Sequence, residues 1–341
     1  MTILLDRARR LADDILFPAA ADVDAQGVIP ASHFTALADA GLYGIALPTP
    51  DGGPADLPAV TEVLAGACLT TTFTWMQHHG AVRTLASTAQ GALRERYLAA
   101  AVTGELRCGV AFAGALPEPP RLWATREPDG YRLDGHAPLV TGWGLVDLVQ
   151  VAARDTGTAH APDEEAVIIT ALLDARAAPG LTAHPLALLA AQGSNTVRLR
   201  FDSVFVPDAL VSGQTTRSAL LAAMTASSRI NGCLALGVAG RCVRLIADTG
   251  RSAVAGRLGT ELDAARAELD AGLLDPALLP VARAAASELA YRVAGALVVA
   301  AGSTGILEGH PAGRLLREAA FTLVAAGREE IRTDLLARMT G

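Results

Sequence analysis

The sequence predicts a mainly α-helical protein with a β domain at its centre. Apolar residues recur at helical spacing over residues 3–105, and again from residue 216 to the end, where long stretches are rich in Ala and Leu. Between them, over about residues 106–212, apolar and polar residues alternate with the period of two that is typical of strands. We therefore expect an N-terminal helical domain at 1–105, a small β barrel or sandwich at 106–215 and a C-terminal helical bundle at 216–341.

The N-terminal helices are predicted from the spacing of their apolar residues. One series comprises Leu4, Leu5, Ala8, Leu11 and Ile15, and a second comprises Phe34, Leu37, Ala38 and Leu42. Pro30 and the segment 48–54, which is rich in Pro and Gly, interrupt these series. The region therefore predicts several short helices separated by loops.

Strands of the central domain are predicted where β-branched and aromatic residues follow turn signals. A strand is expected to start at Tyr131, after the turn at 128–130, and others are expected at 148–152, 167–170 and 197–201. Beyond residue 216, helices are expected at 217–249, 260–272, 278–301 and 313–339. Antiparallel helices with short connections indicate a bundle, and their Ala-rich faces favour burial between subunits, so we expect a homodimer or homotetramer.

Composition and charge exclude several classes of function. The 341 residues include no lysine, so all 28 basic residues are arginine and Schiff-base chemistry on lysine is excluded. A net charge of −7 makes nucleic acid and anionic membranes poor partners. The four cysteines lie far apart and no spacing resembles a metal site, so we expect a reduced cytoplasmic protein without metal. The longest apolar stretch, residues 293–301, is too short to span a membrane.

Four segments carry a pattern that extends over nearly the whole chain. Residues 41–48 read GLYGIALP, residues 135–144 read GHAPLVTGWG, residues 193–207 read GSNTVRLRFDSVFVP and residues 311–319 read PAGRLLREA. In order and spacing, these segments resemble the acyl-CoA dehydrogenase family of flavoproteins. The resemblance implies that family's three-part architecture and FAD as the cofactor.

The resemblance assigns cofactor-binding roles to residues of the β domain. Thr141, with Val140 before it, stands where the family's strand motif lines the flavin ring and presents a threonine hydroxyl to flavin N5. Phe112 and Ala113 stand in the loop that contacts the flavin pyrimidine, mostly through backbone atoms. Considered alone, Thr141 is also explained as a hydroxyl that caps a turn at the end of a strand.

Further cofactor residues are implied near the C-terminus. Gly302 and Ser303 stand where the family holds the ADP half of FAD from a neighbouring subunit, although a glycine at a helix end is common without any ligand. Arg328, in the segment 325–331 that aligns with the family's catalytic turn, is included among the cofactor residues. The short segment 250–259 replaces a longer hairpin that carries an arginine for the FAD pyrophosphate, so FMN or a loosely held reduced flavin is the alternative cofactor.

The family's catalytic glutamate is missing from this chain. The turn that carries it aligns with residues 325–331, AAGREEI, which puts Ala326 at the position of the acid. Some members carry the acid instead before an arginine in an earlier helix, and that pair is here Ser228 and Arg229. We predict that Ser228 and Arg229 contact the substrate.

His78 and His79 are the candidate replacements for the missing base. They lie on a helix whose family counterpart reaches the flavin and the acyl group, and imidazole titrates near neutral pH. Adjacent residues of a helix point about 100° apart, so only one of the two can face a given pocket. The alternative is a polar helix position whose imidazole is hydrogen-bonded to backbone.

Three functions fit this sequence. The first is a flavin-dependent oxidoreductase acting on an acyl thioester of CoA or a carrier protein, with His78 or His79 as an unconventional base. The second is a monooxygenase on the same fold, which receives reduced flavin from a separate reductase and needs no base at the α-carbon. The third is a non-redox scaffold or partner subunit. An electron-transfer or flavin-reductase partner belongs to the first two, and the sequence does not identify the substrate.

Overall fold

Short helices form the N-terminal part of the chain. The computed structural model describes residues 2–176 and 178–341. Its first helices are α1 (Ile3–Leu11), α2 (Phe17–Gln26), α3 (Ala31–Asp39), α4 (Leu57–Ala65), α5 (Leu69–Met76), α6 (His78–Ser87) and α7 (Gly91–Thr103). A π-helical turn, Ala12–Leu16, joins α1 to α2. Helices α2 and α7 end at Gly27 and Gly104, whose left-handed backbone favours glycine.

The central strands form one continuous mixed sheet. They are β1 (Cys108–Ala111), β2 (Leu122–Glu127), β3 (Gly130–Val140), β4 (Leu148–Asp155), β5 (Val167–Asp174), β6 (Leu181–Pro185), β7 (Val197–Pro207) and β8 (Val211–Thr216). The strand order is β6-β7-β3-β2-β4-β5-β8, with β1 beside β4. Strands β1 and β2 run parallel to β4, and the other pairs are antiparallel.

Longer helices form the C-terminal part. They are α8 (Arg217–Ala226), α9 (Ser228–Asp248), α10 (Ser252–Ala271), α11 (Leu279–Ala301), α12 (Pro311–Val324) and α13 (Glu329–Thr340). Their buried Ala and Leu side chains build a core that also includes Ala65 and Leu69 from the N-terminal helices. Helix α4 crosses α9 where each carries a glycine, since a Cβ on Gly66 would lie 2.6 Å from the carbonyl oxygen of Gly237. The two sets of helices therefore pack as one body.

The structure confirms the predicted fold class, with helices at both ends and a sheet at the centre. Three details differ from the sequence-based prediction. The expected helix at 217–249 is divided at Ser227 into α8 and α9. The expected helix at 313–339 is divided by a turn at 325–328, where Ala326 has a left-handed φ of 51°. Residues 252–259, predicted to lie in a shortened connection, instead form the first turns of α10.

Two helical stretches are longer and more apolar than the sequence analysis allowed. By length and composition alone, Arg217–Asp248 and Pro276–Ile306 are candidates for crossing a membrane. Within their most apolar windows, 61% and 39% of the residues are buried inside the protein. Both stretches supply residues to the C-terminal core, which accounts for their apolar character.

Candidate functional site

Helices α5 and α6 meet the ends of two central strands in one region, which we call the α5 junction. Thr74 of α5 contacts the turn after Thr141, because a Cβ on Gly142 would lie 3.6 Å from the Thr74 methyl carbon. Gly80 of α6 faces β1, since its Cβ would lie 4.0 Å from a Val110 methyl group. The α5 junction is defined by these five residues, and it brings the predicted Thr141 and the two predicted histidines into the same part of the molecule.

The hydroxyl of Thr141 belongs to a buried chain of three hydroxyl groups. Its Oγ1 lies 3.1 Å from Oγ1 of Thr196, which in turn lies 2.9 Å from Oγ of Ser194. All three residues are buried. Ser194 and Thr196 were not predicted as site residues, although they lie in the sequence segment that resembles the family. Since a hydroxyl both donates and accepts, this chain fixes Thr141 and keeps one hydrogen-bonding capacity available to a ligand.

The other predicted cofactor residues of the β domain lie near Thr141 along the chain or the sheet. Val140 is buried at the end of β3. Strand β1 passes beside Thr141, because a Cβ on Gly109 would lie 3.1 Å from the Thr141 carbonyl oxygen. Phe112 and Ala113 directly follow β1 and are half-buried. Backbone and side chains of two neighbouring strands are thus available to a planar ligand at this place.

The imidazole of His78 is fully engaged with backbone. Its Nδ1 accepts a hydrogen bond from the N–H of Cys108 at 3.0 Å, and its Nε2 donates to the carbonyl of Ala101 at 3.0 Å. A backbone N–H only donates and a carbonyl only accepts, which fixes the neutral tautomer with the proton on Nε2. Burial lowers the pKa of His78 to about 4, against the opposing effect of the Ala101 hydrogen bond. The prediction of His78 as a base is corrected, because neither nitrogen can take a proton without losing a bond.

His79 differs from His78 in having no partner for either ring nitrogen among the described residues. The side chain is 3% exposed, and its ring packs edge-on against Trp75 with centroids 4.3 Å apart. The indole Nε1 of Trp75 is also buried without a partner in the described part of the chain. Burial, with His78 and Arg83 nearby, lowers the pKa of His79 well below its ordinary value. Buried polar atoms without partners are uncommon in folded proteins, so these nitrogens point to a ligand or water in the α5 junction.

The position of the missing acid lies in the exposed turn between α12 and α13. Ala326 is exposed, and the turn carries no carboxylate until Glu329, at the start of α13. Arg283 of α11 stabilises the turn, because it donates hydrogen bonds to the carbonyls of Thr322 and Ala325 at 2.9 and 3.4 Å. Arg283 is 2% exposed, and burial lowers its pKa to about 10. Sequence reasoning missed Arg283, because its partners lie about forty residues further along the chain.

The pair predicted to contact substrate is buried at the start of α9. Ser228 and Arg229 are each 4% exposed. The guanidinium of Arg229 donates to Asp270 of α10 at 2.8 Å and to the thiol of Cys233 at 2.8 Å. Arg229 therefore joins α9 to α10, and it also lines a surface cavity of about 440 Å³ between these helices and the N-terminal helices α1 and α4. Neither residue is brought into contact with Thr141 or His79 by the contacts described.

Two further predicted cofactor positions lie away from the α5 junction. Gly302 and Ser303 are exposed after the C-terminal end of α11, in a short 3₁₀ turn that packs against α11 and α12. Arg328 donates to Thr225 at 2.7 Å and to the carbonyl of Leu221 at 3.3 Å, so it joins α13 to α8. Within one chain these residues are separate from Thr141, and their cofactor roles stay predictions.

In the described part of the chain, no metal cluster and neither of two surface cavities lies at the α5 junction. Among residues 2–176 and 178–341, no group of three His, Cys, Asp or Glu side chains could hold a metal ion. All four cysteines are free and buried. A cavity of about 360 Å³ lies between α1, α3 and α7, and like the larger cavity beside Arg229 it includes none of the predicted β-domain cofactor residues.

Comparison with known proteins identifies the class of this protein. The family model for the acyl-CoA dehydrogenase N-terminal domain matches residues 2–105, and the model for the C-terminal domain matches residues 243–340. The chain belongs to the acyl-CoA dehydrogenase family. A curated relative, 2-methylacyl-CoA dehydrogenase of Solanum tuberosum mitochondria, is 26% identical over 274 residues. The alignment covers 72% of this chain and 65% of that relative, so less than two thirds of the relative's length is represented.

Solved structures of two different activities share the fold. Butyryl-CoA dehydrogenase from Megasphaera elsdenii aligns with a TM-score of 0.83 at 20% identity, covering 99% of this chain and 97% of that one. Dibenzothiophene monooxygenase from Paenibacillus sp. A11-2 aligns with a TM-score of 0.79 at 17% identity, also covering 99% and 97%. At such identities the likeness establishes the fold, and it leaves open which of these chemistries applies.

Proposed function

We propose that this protein is a flavin-dependent oxidoreductase that acts on an acyl thioester without a carboxylate base at the family's usual position. The observation that carries the proposal is the α5 junction, where Thr74 of α5 contacts the turn after Thr141. Trp75 and His79, the chain neighbours of Thr74 and Gly80, have buried ring nitrogens without partners among the described residues. Membership of the acyl-CoA dehydrogenase family supports flavin chemistry.

FAD fits Thr141 of the α5 junction together with the residues that precede it at the end of β3 and those that follow β1. Val140, Thr141, Phe112 and Ala113 would hold the ring, and Gly302 and Ser303 of a neighbouring copy would hold the ADP half in a homodimer or homotetramer. When bound, the flavin accepts a hydrogen of the substrate as hydride. The orphaned nitrogens of His79 and Trp75 support a polar ligand beside these residues, because a dry apolar junction would leave them unsatisfied.

His79 is the proposed group that removes the proton α to the thioester carbonyl. If a double bond forms between the α- and β-carbons, a ring nitrogen of His79 would take that proton, and a flavin held by the residues above would supply the hydride acceptor. The lowered pKa of His79 keeps the acceptor form populated at neutral pH, but it also makes the imidazole a weaker base than an exposed one. A slow reaction is therefore expected in comparison with members that have the glutamate.

The decisive experiment is the visible absorbance spectrum of the purified protein during titration with butyryl-CoA under anaerobic conditions. Bound oxidised flavin that bleaches on addition of the thioester supports the proposal. His79→Gln should then slow the bleaching at least about tenfold, the size expected for loss of a positioned base, while His160→Gln, at an exposed loop residue, should leave it unchanged. Oxidised flavin that no thioester bleaches would overturn the proposal.

A two-component monooxygenase is the second candidate, and one observation favours it. Neither Ala326 nor Ser228, the two places where the family carries its acid, supplies a carboxylate. Oxygenation with reduced flavin and O₂ needs no base at an α-carbon, so this loss would carry no penalty. A colourless protein that binds reduced flavin in a stopped-flow titration, and consumes O₂ only when a reductase is added, would favour this function. A protein that binds flavin in neither state would be a non-redox scaffold.

The cellular setting is likewise proposed from the sequence and surface. We infer a cytoplasmic homo-oligomer, since the cysteines are free and the exposed apolar side chains are concentrated on the C-terminal helices and their turns. Among them Val299 is 79% exposed, Ile306 80% and Val324 69%. A large exposed apolar surface is usually covered by another molecule. An electron-transfer or flavin-reductase partner would complete the redox cycle.

A further inference from the structure

Arginines and histidines form a basic stripe on the exposed face of the central sheet. The basic stripe comprises Arg121, His136, His184, Arg198 and Arg200. His136 on β3 lies opposite Arg200 on β7, and His184 on the edge strand β6 lies opposite Arg198. Arg121 immediately precedes β2, and its carbonyl accepts a hydrogen bond from the N–H of His136 at 2.8 Å. Side chains opposite each other on adjacent strands are about 5 Å apart at Cβ, so the five form one patch.

The three arginines of the basic stripe form no ion pairs with carboxylates in the described part of the chain. Elsewhere on the same sheet, Arg132 pairs with Glu127, with 2.7 Å between Nε and Oε1, and Arg126 pairs with Asp208. In the stripe, by contrast, none of the three arginines has a carboxylate within ion-pair distance or a side-chain hydrogen bond among residues 2–176 and 178–341. The three arginines are therefore unpaired within these residues, and the nearest carboxylates on the same face are those of Asp134 on β3 and Asp202 on β7, two residues from His136 and Arg200.

This charge distribution fits an acidic protein surface better than a small anion. Sites for small molecules are concave, whereas the stripe lies across three adjacent strands of an exposed sheet, and the two cavities described above lie elsewhere. The chain as a whole has a net charge of −7, so an acidic partner is repelled by most of the surface and attracted at the stripe. Complementary charge of this kind fixes orientation and accelerates encounter.

The basic stripe is also close to the α5 junction along both of its main strands. Strand β3 runs from His136 to Val140, and Thr141 follows, about 17 Å from His136 at the usual rise of a strand. Strand β7 begins directly after Thr196, whose hydroxyl contacts that of Thr141 at 3.1 Å. Leu139, 58% exposed between these points, offers an apolar contact beside the charges. A partner seated on the stripe would therefore lie next to the proposed reaction site.

We propose that the basic stripe is the docking surface for an acidic carrier protein that presents the acyl group as a thioester. This inference rests on the proposed function, since it names the form in which the substrate arrives. The carrier supplies clustered surface carboxylates to the arginines, and its tethered acyl group reaches towards Thr141 and His79. Charge at the stripe then selects the carrier, and the α5 junction acts only on the acyl group.

The test compares carrier binding with CoA binding in charge-reversed variants. Probes are a recombinant acidic acyl carrier protein bearing a butyryl thioester, measured by fluorescence anisotropy, and butyryl-CoA, measured by calorimetry. The variant Arg198→Glu/Arg200→Glu should weaken carrier binding at least about tenfold and leave butyryl-CoA binding within about twofold. The matched control Arg251→Glu/Arg257→Glu makes the same charge change at exposed arginines on the far helices, and it should have little effect. Raising the salt concentration should weaken carrier binding to the wild type but not to the stripe variant.

Two outcomes would overturn the docking surface. One is the absence of carrier binding to the wild-type protein, and the other is equal weakening by the stripe and control variants. Because both readouts are equilibrium binding, they do not depend on turnover. Flavin bleaching by butyryl-CoA without carrier binding would reject this inference and retain the proposed function. Carrier binding at the stripe without bleaching by any thioester would reject the proposed function and retain the stripe as the binding surface for the carrier.

Discussion

His78 and His79 are adjacent in sequence but have opposite environments. His78 is bonded to Ala101 and Cys108, whereas His79 has no hydrogen-bond partner among the described residues. Sequence analysis could predict that only one of them faces a given pocket, since that follows from helix geometry. It could not predict which one, because the partners of His78 lie 23 and 30 residues further along the chain.

The environment of His78 makes stability depend on pH. Its pKa is about 4 in the folded protein and near 6.5 in the unfolded chain, so the unfolded state binds more protons between these values. The neutral imidazole of His78 therefore contributes about 3 kcal/mol to the free energy of unfolding. This contribution is complete above pH 6.5 and is lost as the pH falls towards 4. The lowered pKa of His79 acts in the same direction. Urea unfolding at pH 7, 6, 5 and 4 should show this loss. In His78→Gln, the free energy of unfolding should depend less steeply on pH, and an equal dependence in the two proteins would contradict the prediction.

Ala326 allows a gain-of-function experiment. It is exposed, and both alanine and glutamate face the same constraint at a φ of 51°, so Ala326→Glu should fold with little change in stability. If the substrate lies as in the proposed function, the new carboxylate should raise the rate of thioester-dependent flavin bleaching by about 10² or more. Val324→Glu, two residues away and 69% exposed, is the matched control. An equal effect of the two variants, or no effect of either, would mean that this turn does not face the substrate.

At the scale of elements, the C-terminal end of α12 is stabilised by a buried cation rather than by glycine. The guanidinium of Arg283 donates to the carbonyls of Thr322 and Ala325 and to the hydroxyl of Ser287. A cation at this end also interacts favourably with the helix dipole. Arg283 thereby holds the turn that contains Ala326.

Removal of this cation should loosen the turn more than it destabilises the fold. Arg283→Met loses the bonds to the carbonyls, but it also removes the cost of burying a charge, so the free energy of unfolding should change by less than about 2 kcal/mol. Amide hydrogen exchange at Ala325 and Gly327, whose N–H groups bond to Phe321 and Val324, should accelerate at least about tenfold. Arg292→Met, an exposed position on the same helix, should not change that exchange. Unaltered exchange in Arg283→Met would show that the turn holds its shape without Arg283.

Periodicity located most elements, but it could not locate the breaks within them. The strands at Tyr131 and Val197 and the helix that ends at Ala301 follow from alternation or helical spacing. The break between α12 and α13 does not follow from periodicity. Gly327 and the resemblance to the family's turn at 325–331 indicate it in the sequence, but the contacts of the buried Arg283 and the left-handed φ of Ala326 appear only in the structure. The hydroxyl partners of Thr141 could not be predicted from the sequence either, since β3 and β7 come together only when the sheet forms.

At the scale of the whole molecule, exposed apolar residues predict self-association through the C-terminal helices. Val299→Asp should shift the protein towards monomer in sedimentation or light-scattering measurements, because a charge would be buried in the contact. Leu189→Asp, also exposed at 74% but located beside β6, is the control and should keep the wild-type mass. A wild type that is already monomeric would argue against this interface. An oligomeric wild type would argue against it too, if the two variants had the same mass as each other.

Two consecutive residues of α5 connect distant parts of the chain. The ring of Phe73 packs edge-on against Phe321 of α12, with centroids 4.9 Å apart, while Thr74 contacts Gly142 after β3. A helix turns about 100° between neighbours and is stiff over two residues, so the two contacts cannot adjust independently. We therefore expect occupancy beside Thr141 and order in the turn at Ala326 to be thermodynamically linked, in which case each would alter the free energy of the other by the same amount.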